Sequence, residues 1–267
     1  MKVIFSRKGF DSSNGGCASP IMPDGTLLSL PIPSGDCASF SDVIWKDFTY
    51  AEILKQICPK KTFTHCHIDP DVRDNRKDHI EEWKPAFGQT GSAQGLLANA
   101  GVEIGDIFLF FGWFRRIRET ENGYRYAPRN KDDFYGGNDL QVIYGYMQIG
   151  SIITDQDEIR NYYWHPHSSD KHTENPNNTL YLPSDRLSFN PDMKGYGTLD
   201  YREDRVLTME GKGRATWKNY EFLLPEHVYG TKKNCAKGTG LYYAGIWQEL
   251  VVYESKELID WVRNVVK

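Results

Sequence analysis

Cysteine is scarce in this sequence and sits at none of the spacings that give it structural work. The five residues (Cys17, Cys37, Cys58, Cys66, Cys235) are odd in number, and no two form a Cys-x-x-Cys pair. A zinc ribbon and a disulfide framework are thereby excluded. Long hydrophobic runs are missing too. The strongest, residues 104–114, contains Asp106 and falls well short of the roughly 20 residues of a spanning helix. No membrane segment is expected. Residues 1–8 hold neither a long apolar region nor a small-residue cleavage site, so the chain is expected to stay in the cytoplasm. A surplus of positive charge is also absent: 32 Lys+Arg face 36 Asp+Glu, a formal charge of −4. Strong nonspecific binding of duplex DNA needs a broad basic face and is not expected, which still leaves room for a local basic pocket. No repeat or low-complexity tract interrupts the 267 residues.

What is present reads as a folded protein. Hydrophobic residues make 39% and charged residues 25%, which excludes a disordered chain, a collagen and a coiled coil. Aromatics reach 13%, a composition suited to β-sheets and to stacking on flat ligands such as bases. Residues 2–6 read as a first strand, followed by a long Gly/Ser/Pro-rich segment to Phe40. A loop of that length inside a compact protein is usually functional. Residues 50–57 form a short helix stopped by Pro59, and 62–68 alternate as a strand. Residues 92–100 make a second helix with Gly101 at its C′ position. Two strong strands follow at 106–116 and 141–153, separated by an irregular polar excursion over 119–138. Residues 160–200 read as loop apart from a strand at 179–182. A late strand at 248–253 leads to Ser255, which caps a last helix with Leu258, Ile259, Val262, Val265 and Val266 on one face. Strands outnumber helices without alternating with them, which disfavours a doubly wound parallel sheet. The expected fold is α+β: a β-rich curved sheet or barrel with peripheral helices.

Four segments carry chemistry. In Ser6-Arg7-Lys8-Gly9-Phe10-Asp11-Ser12-Ser13-Asn14-Gly15-Gly16, two cations leave a strand and enter a Gly/Ser loop that can wrap a phosphate, Arg7 as a fork and Lys8 as a point charge. It is not a Walker A loop; the alternative is a structural Ω-loop with Arg7 and Asp11 paired. In Thr64-His65-Cys66-His67-Ile68-Asp69-Pro70-Asp71, His65, His67 and Asp69 alternate onto one face of a strand. They fit a metal site, or His67 as general base with Asp69 orienting it, or merely a strand ending in Asp-Pro turn chemistry. Trp164-His165-Pro166-His167, with His172 nearby, adds imidazoles, but nothing in the spacing says that they meet the first pair. No closed zinc spacing exists along the chain, so no structural metal is expected, and no cofactor is indicated. Gly211-Lys212-Gly213-Arg214 reads as a turn. The fourth segment, Gly105-Asp106-Ile107-Phe108-Leu109-Phe110-Phe111-Gly112, pairs with Ile143-Tyr144-Gly145-Tyr146-Met147-Gln148-Ile149-Gly150. These strands resemble the core of PUA-like barrels (the ASCH and EVE groups), placed here around residues 102–155; the alternative is a plain core hairpin.

Taken in order, the blocks resemble a single family. The opening Ser6–Gly16 loop, Pro23-Asp24-Gly25-Thr26-Leu27-Leu28-Ser29-Leu30-Pro31-Ile32-Pro33, His67-Ile68-Asp69-Pro70-Asp71, Phe87-Gly88-Gln89, and the Gly105 to Phe114 run are similar to the bacterial and phage group called nucleotide modification associated domain 3. The resemblance implies one such domain across residues 1–267 and a link to DNA-base modification. It carries over no reaction and no catalytic residue. On chemistry alone, His67 and Asp69 are the catalytic candidates. Arg7, Lys8, Asp11, Ser12, Ser13, Gln89, Trp113 and Tyr144 are the ligand-binding candidates, Gln89 through an amide that can read a base edge and the two rings by stacking. The expected ligand is a nucleotide or modified nucleic-acid base. Three functions compete: an enzyme on that ligand, a non-catalytic PUA-like reader of it, and a structural partner in a modification complex.

Overall fold

A computed structural model of the protein describes residues 1–74, 80, 82–230, 235–236, 240–243, 245 and 247–267. Its centre is a nine-stranded sheet. Val3–Arg7 pairs antiparallel with Glu249–Val252 on one side and parallel with Ile107–Thr120 on the other. Leu140–Ile153 follows antiparallel, then Thr179–Pro183, then Phe87–Gln89. Three short strands (Ser19–Ile21, Gly123–Tyr126 and Tyr196–Thr198) attach to the two long ones. Those long strands run 14 residues each. Register shifts between Ile143 and Gly145, and between Ile149 and Ser151, bend the ladder as bulges do. The result is α+β with the sheet curled into half a barrel. Its strand order has two ends, and the PUA-like likeness gains no support from it.

Both faces of the sheet are covered, and period-two alternation sorts the side chains. Val3, Phe5, Ile107, Leu109 and Phe111 pack on Trp217 and on Leu258, Val262 and Val265 of the last helix, Lys256–Val266. Ile4, Phe108, Phe110 and Met147 join Phe87 and Tyr181 on the other face. Burial on both faces explains why 107–111 is continuously apolar. Two helices begin at side-chain caps: Ser255 Oγ accepts from Leu258 N–H at 3.1 Å, and Thr49 and Glu52 form a capping box on Tyr50–Ile57. Among the described residues no helix is long and apolar enough to cross a membrane.

Three expectations change. The strand at 62–68 contracts to Cys66–His67, which pairs with Ile32–Pro33. The excursion at 119–138 is partly regular: Gly123–Tyr126 pairs with the end of the long strand, and Phe134–Gly137 forms a helical turn. The 160–200 segment contains three further strands among the described residues, Arg186–Leu187, Asn190–Lys194 and Tyr196–Thr198. The Gly/Ser/Pro segment after residue 9 is anchored rather than loose. Phe10, Met22, Leu28, Leu30 and Phe40 bury into a third cluster with Tyr50 and Ile53. These apolar residues follow no single period, so neither helical nor strand patterning reveals them.

Candidate functional site

The first strand delivers its last residues to the rim of a cleft of about 530 Å3, within the size range of small-molecule sites. Lys8 N–H donates to Phe111 O at 2.9 Å. That approach needs glycine at 112, where a Cβ would stand 2.8 Å from the Lys8 carbonyl oxygen. Arg7, Lys8, Gly9 and Asp11 line the cleft together with His67, Asp69, Gln89, His167 and His172. The Ser6–Gly16 loop and the His67–Asp69 segment therefore meet. A larger hollow of about 930 Å3 lies elsewhere, around Gln148, Pro183 and Lys194, without a comparable titratable cluster.

The floor of the cleft is ionic and buried. Lys8 Nζ stands 3.7 Å from Asp69 Oδ2 and 3.6 Å from Glu249 Oε1, and 4.2 Å from the centre of the Phe87 ring. Glu249 Oε1 also accepts from Ser6 Oγ at 2.9 Å and from Gln89 Nε2 at 2.6 Å. Burial pushes the Glu249 carboxyl up to about 7, against the pull of Lys8 and these hydrogen bonds. Asp69 goes the other way. Burial alone would raise it, but the Lys8 ammonium and His165 prevail and hold it below the usual carboxylate range. Its Oδ1 accepts from Gly88 N–H at 2.7 Å, and His165 Nε2 lies 3.4 Å away.

Above this floor stand the imidazoles. His67 Nδ1 is 2.7 Å from Asp36 Oδ2, a contact that draws the Asp36 carboxyl down to about 2. His167 Nδ1 is 2.7 Å from Asn178 Oδ1. The His167 and His172 rings stack with centroids 4.3 Å apart, and the His67 ring lies 5.4 and 5.6 Å from them. Burial pushes His167 down to about 3 and also lowers His172, so both are neutral near pH 7. Gly88 makes this packing possible, since a Cβ there would overlap the His167 ring. Gly88→Ala is expected to cost about 1–3 kcal/mol of stability through overpacking, read from denaturant midpoints; an unchanged midpoint would contradict the cradle.

Other candidates land elsewhere. Ser12 and Ser13 are exposed and outside the cleft lining; Ser12 Oγ takes a hydrogen bond from Arg214, and the Ser13 N–H donates to Asp11. Gln89 is at the cleft, but its Nε2 is given to Glu249 and its Oε1 to Thr90 N–H, so its amide organises the floor instead of presenting a free edge. Trp113 lies under the Arg214 guanidinium at 3.8 Å and donates to Asp139. Tyr144 is 3% exposed and packed in the core. Neither ring faces the cleft, whose flat surfaces are imidazoles. His65 is exposed and turned to Thr64. Asp36 and Glu249 were missed because one sits in a Pro/Gly/Ser loop and the other opens an apolar strand. A glutamate at the head of such a strand is the signal that marks burial with a partner.

The fold and the cleft together define an α+β protein with a cleft lined by histidines and carboxylates. The chain belongs to the family described as nucleotide modification associated domain 3, whose model matches residues 2–252; its association is with nucleotide modification. No match was found among curated proteins or among solved structures.

Proposed function

We propose that the cleft is the active site of an enzyme acting on a nucleotide or on a base of nucleic acid. The observation that carries this reading is the convergence of His67, His167, His172 and Asp69 beside Arg7 in one cleft of a chain from a nucleotide-modification family. The Arg7 side chain makes no hydrogen bond or ion pair with any described residue, so its fork is available to a phosphate. Lys171, exposed, adds a second cation at the cleft. The helix Gly91–Asn99 opens there with its Gly91 N–H capped by Asn177 Oδ1 at 2.8 Å and no acidic residue in its first turn, so its dipole adds positive potential on the same side. Lys8, engaged by two carboxyls, has the role of holding the floor. Neutral imidazoles next to an ionised carboxylate suit proton transfer. A fold gains little from so many desolvated titratable groups, whereas catalysis needs them. The reader alternative calls for aromatic rings in the cleft, and among the described residues its lining contains no Phe, Tyr or Trp.

Calorimetric titration with mononucleotides, single strands and duplexes tests the substrate class. Mononucleotides or single strands should bind more tightly than plain duplex at physiological salt. Arg7→Ala should weaken them by roughly 10- to 150-fold, the equivalent of a charge-assisted hydrogen bond of about 1.5–3 kcal/mol. Tightest binding to duplex DNA, with Arg7→Ala neutral, would overturn the reading.

A further inference from the structure

We propose that His67, His167 and Asp69 form a binding site for one divalent transition-metal ion, with His172 available as a fourth ligand. One ligand atom from each of the three lies within 4.8 Å of the others, and a second such group, Asp36, His67 and His172, shares His67. The inference stands apart from the nucleotide reading, because it rests on how the imidazoles are oriented.

Hydrogen bonds fix the tautomers. Gln156 Nε2 donates to the carbonyls of Thr154 and Asn178 at 2.8 Å each, which leaves Gln156 Oε1 as an acceptor. Asn178 Nδ2 donates to that oxygen at 3.0 Å and to His167 O at 3.1 Å. Asn178 Oδ1 must therefore accept, and the proton on His167 lies on Nδ1. The lone pair of His167 is on Nε2. His67 follows the same logic through its 2.7 Å contact to the Asp36 carboxylate, which also places the proton on Nδ1 and the lone pair on Nε2. An outer carboxylate or amide that receives one ring N–H while the other nitrogen stays free is the arrangement found behind metal-bound histidines.

The remaining groups agree. His165 Nδ1 accepts from the His167 N–H at 3.2 Å, so its proton is on Nε2, 3.4 Å from Asp69 Oδ1 and without a hydrogen bond among the described residues, and it offers no lone pair to an ion. Asp69 Oδ1 is taken by Gly88 N–H; Oδ2 faces Lys8 Nζ at 3.7 Å, longer than a hydrogen bond, and keeps lone pairs for an ion. His172 Nε2 is buried with no hydrogen-bond partner among the described residues, a costly state for a ring nitrogen. Ligand nitrogens and oxygens about 2.0–2.2 Å from an ion sit on the order of 3.3 Å apart, so closure needs shifts on the order of 1 Å. A set of imidazoles with one carboxylate suits zinc, iron, nickel or copper better than magnesium or calcium. All four residues line the cleft, so a position on the ion stays open to water or ligand. Local spacing did not reveal the set because its ligands come from two segments about a hundred residues apart, joined only by the fold.

Tag-free, full-length protein is stripped with chelator, exchanged into chelator-free buffer and titrated with Co2+ and then Zn2+, with metal content measured by mass spectrometry. The expected result is one equivalent of Co2+ with visible d–d absorption, displaced by one equivalent of Zn2+, and a higher melting temperature with metal. His67→Ala and His167→Ala should abolish stoichiometric binding, and Asn178→Ala should weaken it by about 10- to 100-fold. His65→Ala should change nothing. Circular dichroism identifies any variant that does not fold, and His67→Ala, at a half-buried position, carries the test if His167→Ala fails. Absence of stoichiometric binding to wild-type protein, or binding that survives His67→Ala, would overturn the site. No nucleotide enters the titration, so failure of ligand binding and failure of metal binding are read separately.

Discussion

Lys8→Met is expected to lower folding stability by about 3–5 kcal/mol, the range for removing one partner from a buried ion pair. The ammonium is held between Asp69 at 3.7 Å and Glu249 at 3.6 Å, with only 11% of the side chain exposed. Without it the two carboxyls respond differently. Glu249, already pushed up to about 7, takes a proton at little cost. Asp69 is held ionised partly by Lys8 itself, and its remaining partners, Gly88 N–H and the His165 ring, do not replace a full charge. The loss should therefore track Asp69. Urea unfolding at pH 7 reads it as a drop in midpoint with an unchanged slope, and adding Asp69→Asn to Lys8→Met should recover part of the stability. A loss under about 1 kcal/mol, the level of a surface pair, would mean that the floor is wetter than described.

The second large effect is on acid stability, measured in chelator so that metal release plays no part. His167 is held at about 3 against an ordinary value near 6.5. Its contribution is complete above pH 6.5 and is lost as pH falls toward 3, at up to roughly 1.4 kcal/mol per pH unit. His172 acts in the same direction. Glu249 opposes both. Its raised carboxyl contributes fully below about 4.5, and that contribution is lost as pH rises through about 7. Between pH 4.5 and 6.5 these slopes largely cancel. Below about 4.5 only losses remain, because Asp69 begins to add its own. The expected curve is shallow from 6.5 to 4.5 and steep beneath. Glu249→Gln removes the opposing slope while keeping an acceptor for Ser6 and Gln89, so its curve should already be steep from pH 6.5. If the variant and wild-type curves run parallel over that window, Glu249 is not titrating as described.

Much of the architecture could be read from the chain because its long strands and last helix are strongly periodic. The runs at 107–111 and 249–252, and the Ser255 cap, need no tertiary information. The site was legible only in pieces. Arg7, Lys8, His67, Asp69 and Gln89 could be named because chemistry concentrates there locally. Trp113 and Tyr144 were misjudged because an aromatic composition says nothing about which rings the core consumes. His167 and His172 stood in a polar loop, and Glu249 inside an apolar strand. Their joining depends on the curl of the sheet, which is written in two register shifts, around Gly145 and Ser151, and in no single motif.

That curl leaves a seam. The strands Glu249–Val252 and Phe87–Gln89 stand at opposite ends of the strand order, yet a side-chain hydrogen bond of 2.6 Å joins Gln89 to Glu249 across 160 residues of sequence. Ser6, the ladder partner of Glu249 on the neighbouring strand, donates to the same carboxyl. Among the described residues no backbone ladder closes this gap; the Gln89–Glu249 pair does, and it is part of the floor of the cleft. The cleft is thus a product of long-range closure and cannot be assembled by any contiguous fragment. Such distant pairings are slow to form, so ligand-binding competence should be the last property to appear on refolding, after the sheet itself has formed. A lesion anywhere that springs the seam would silence the site while leaving most of the secondary structure in place.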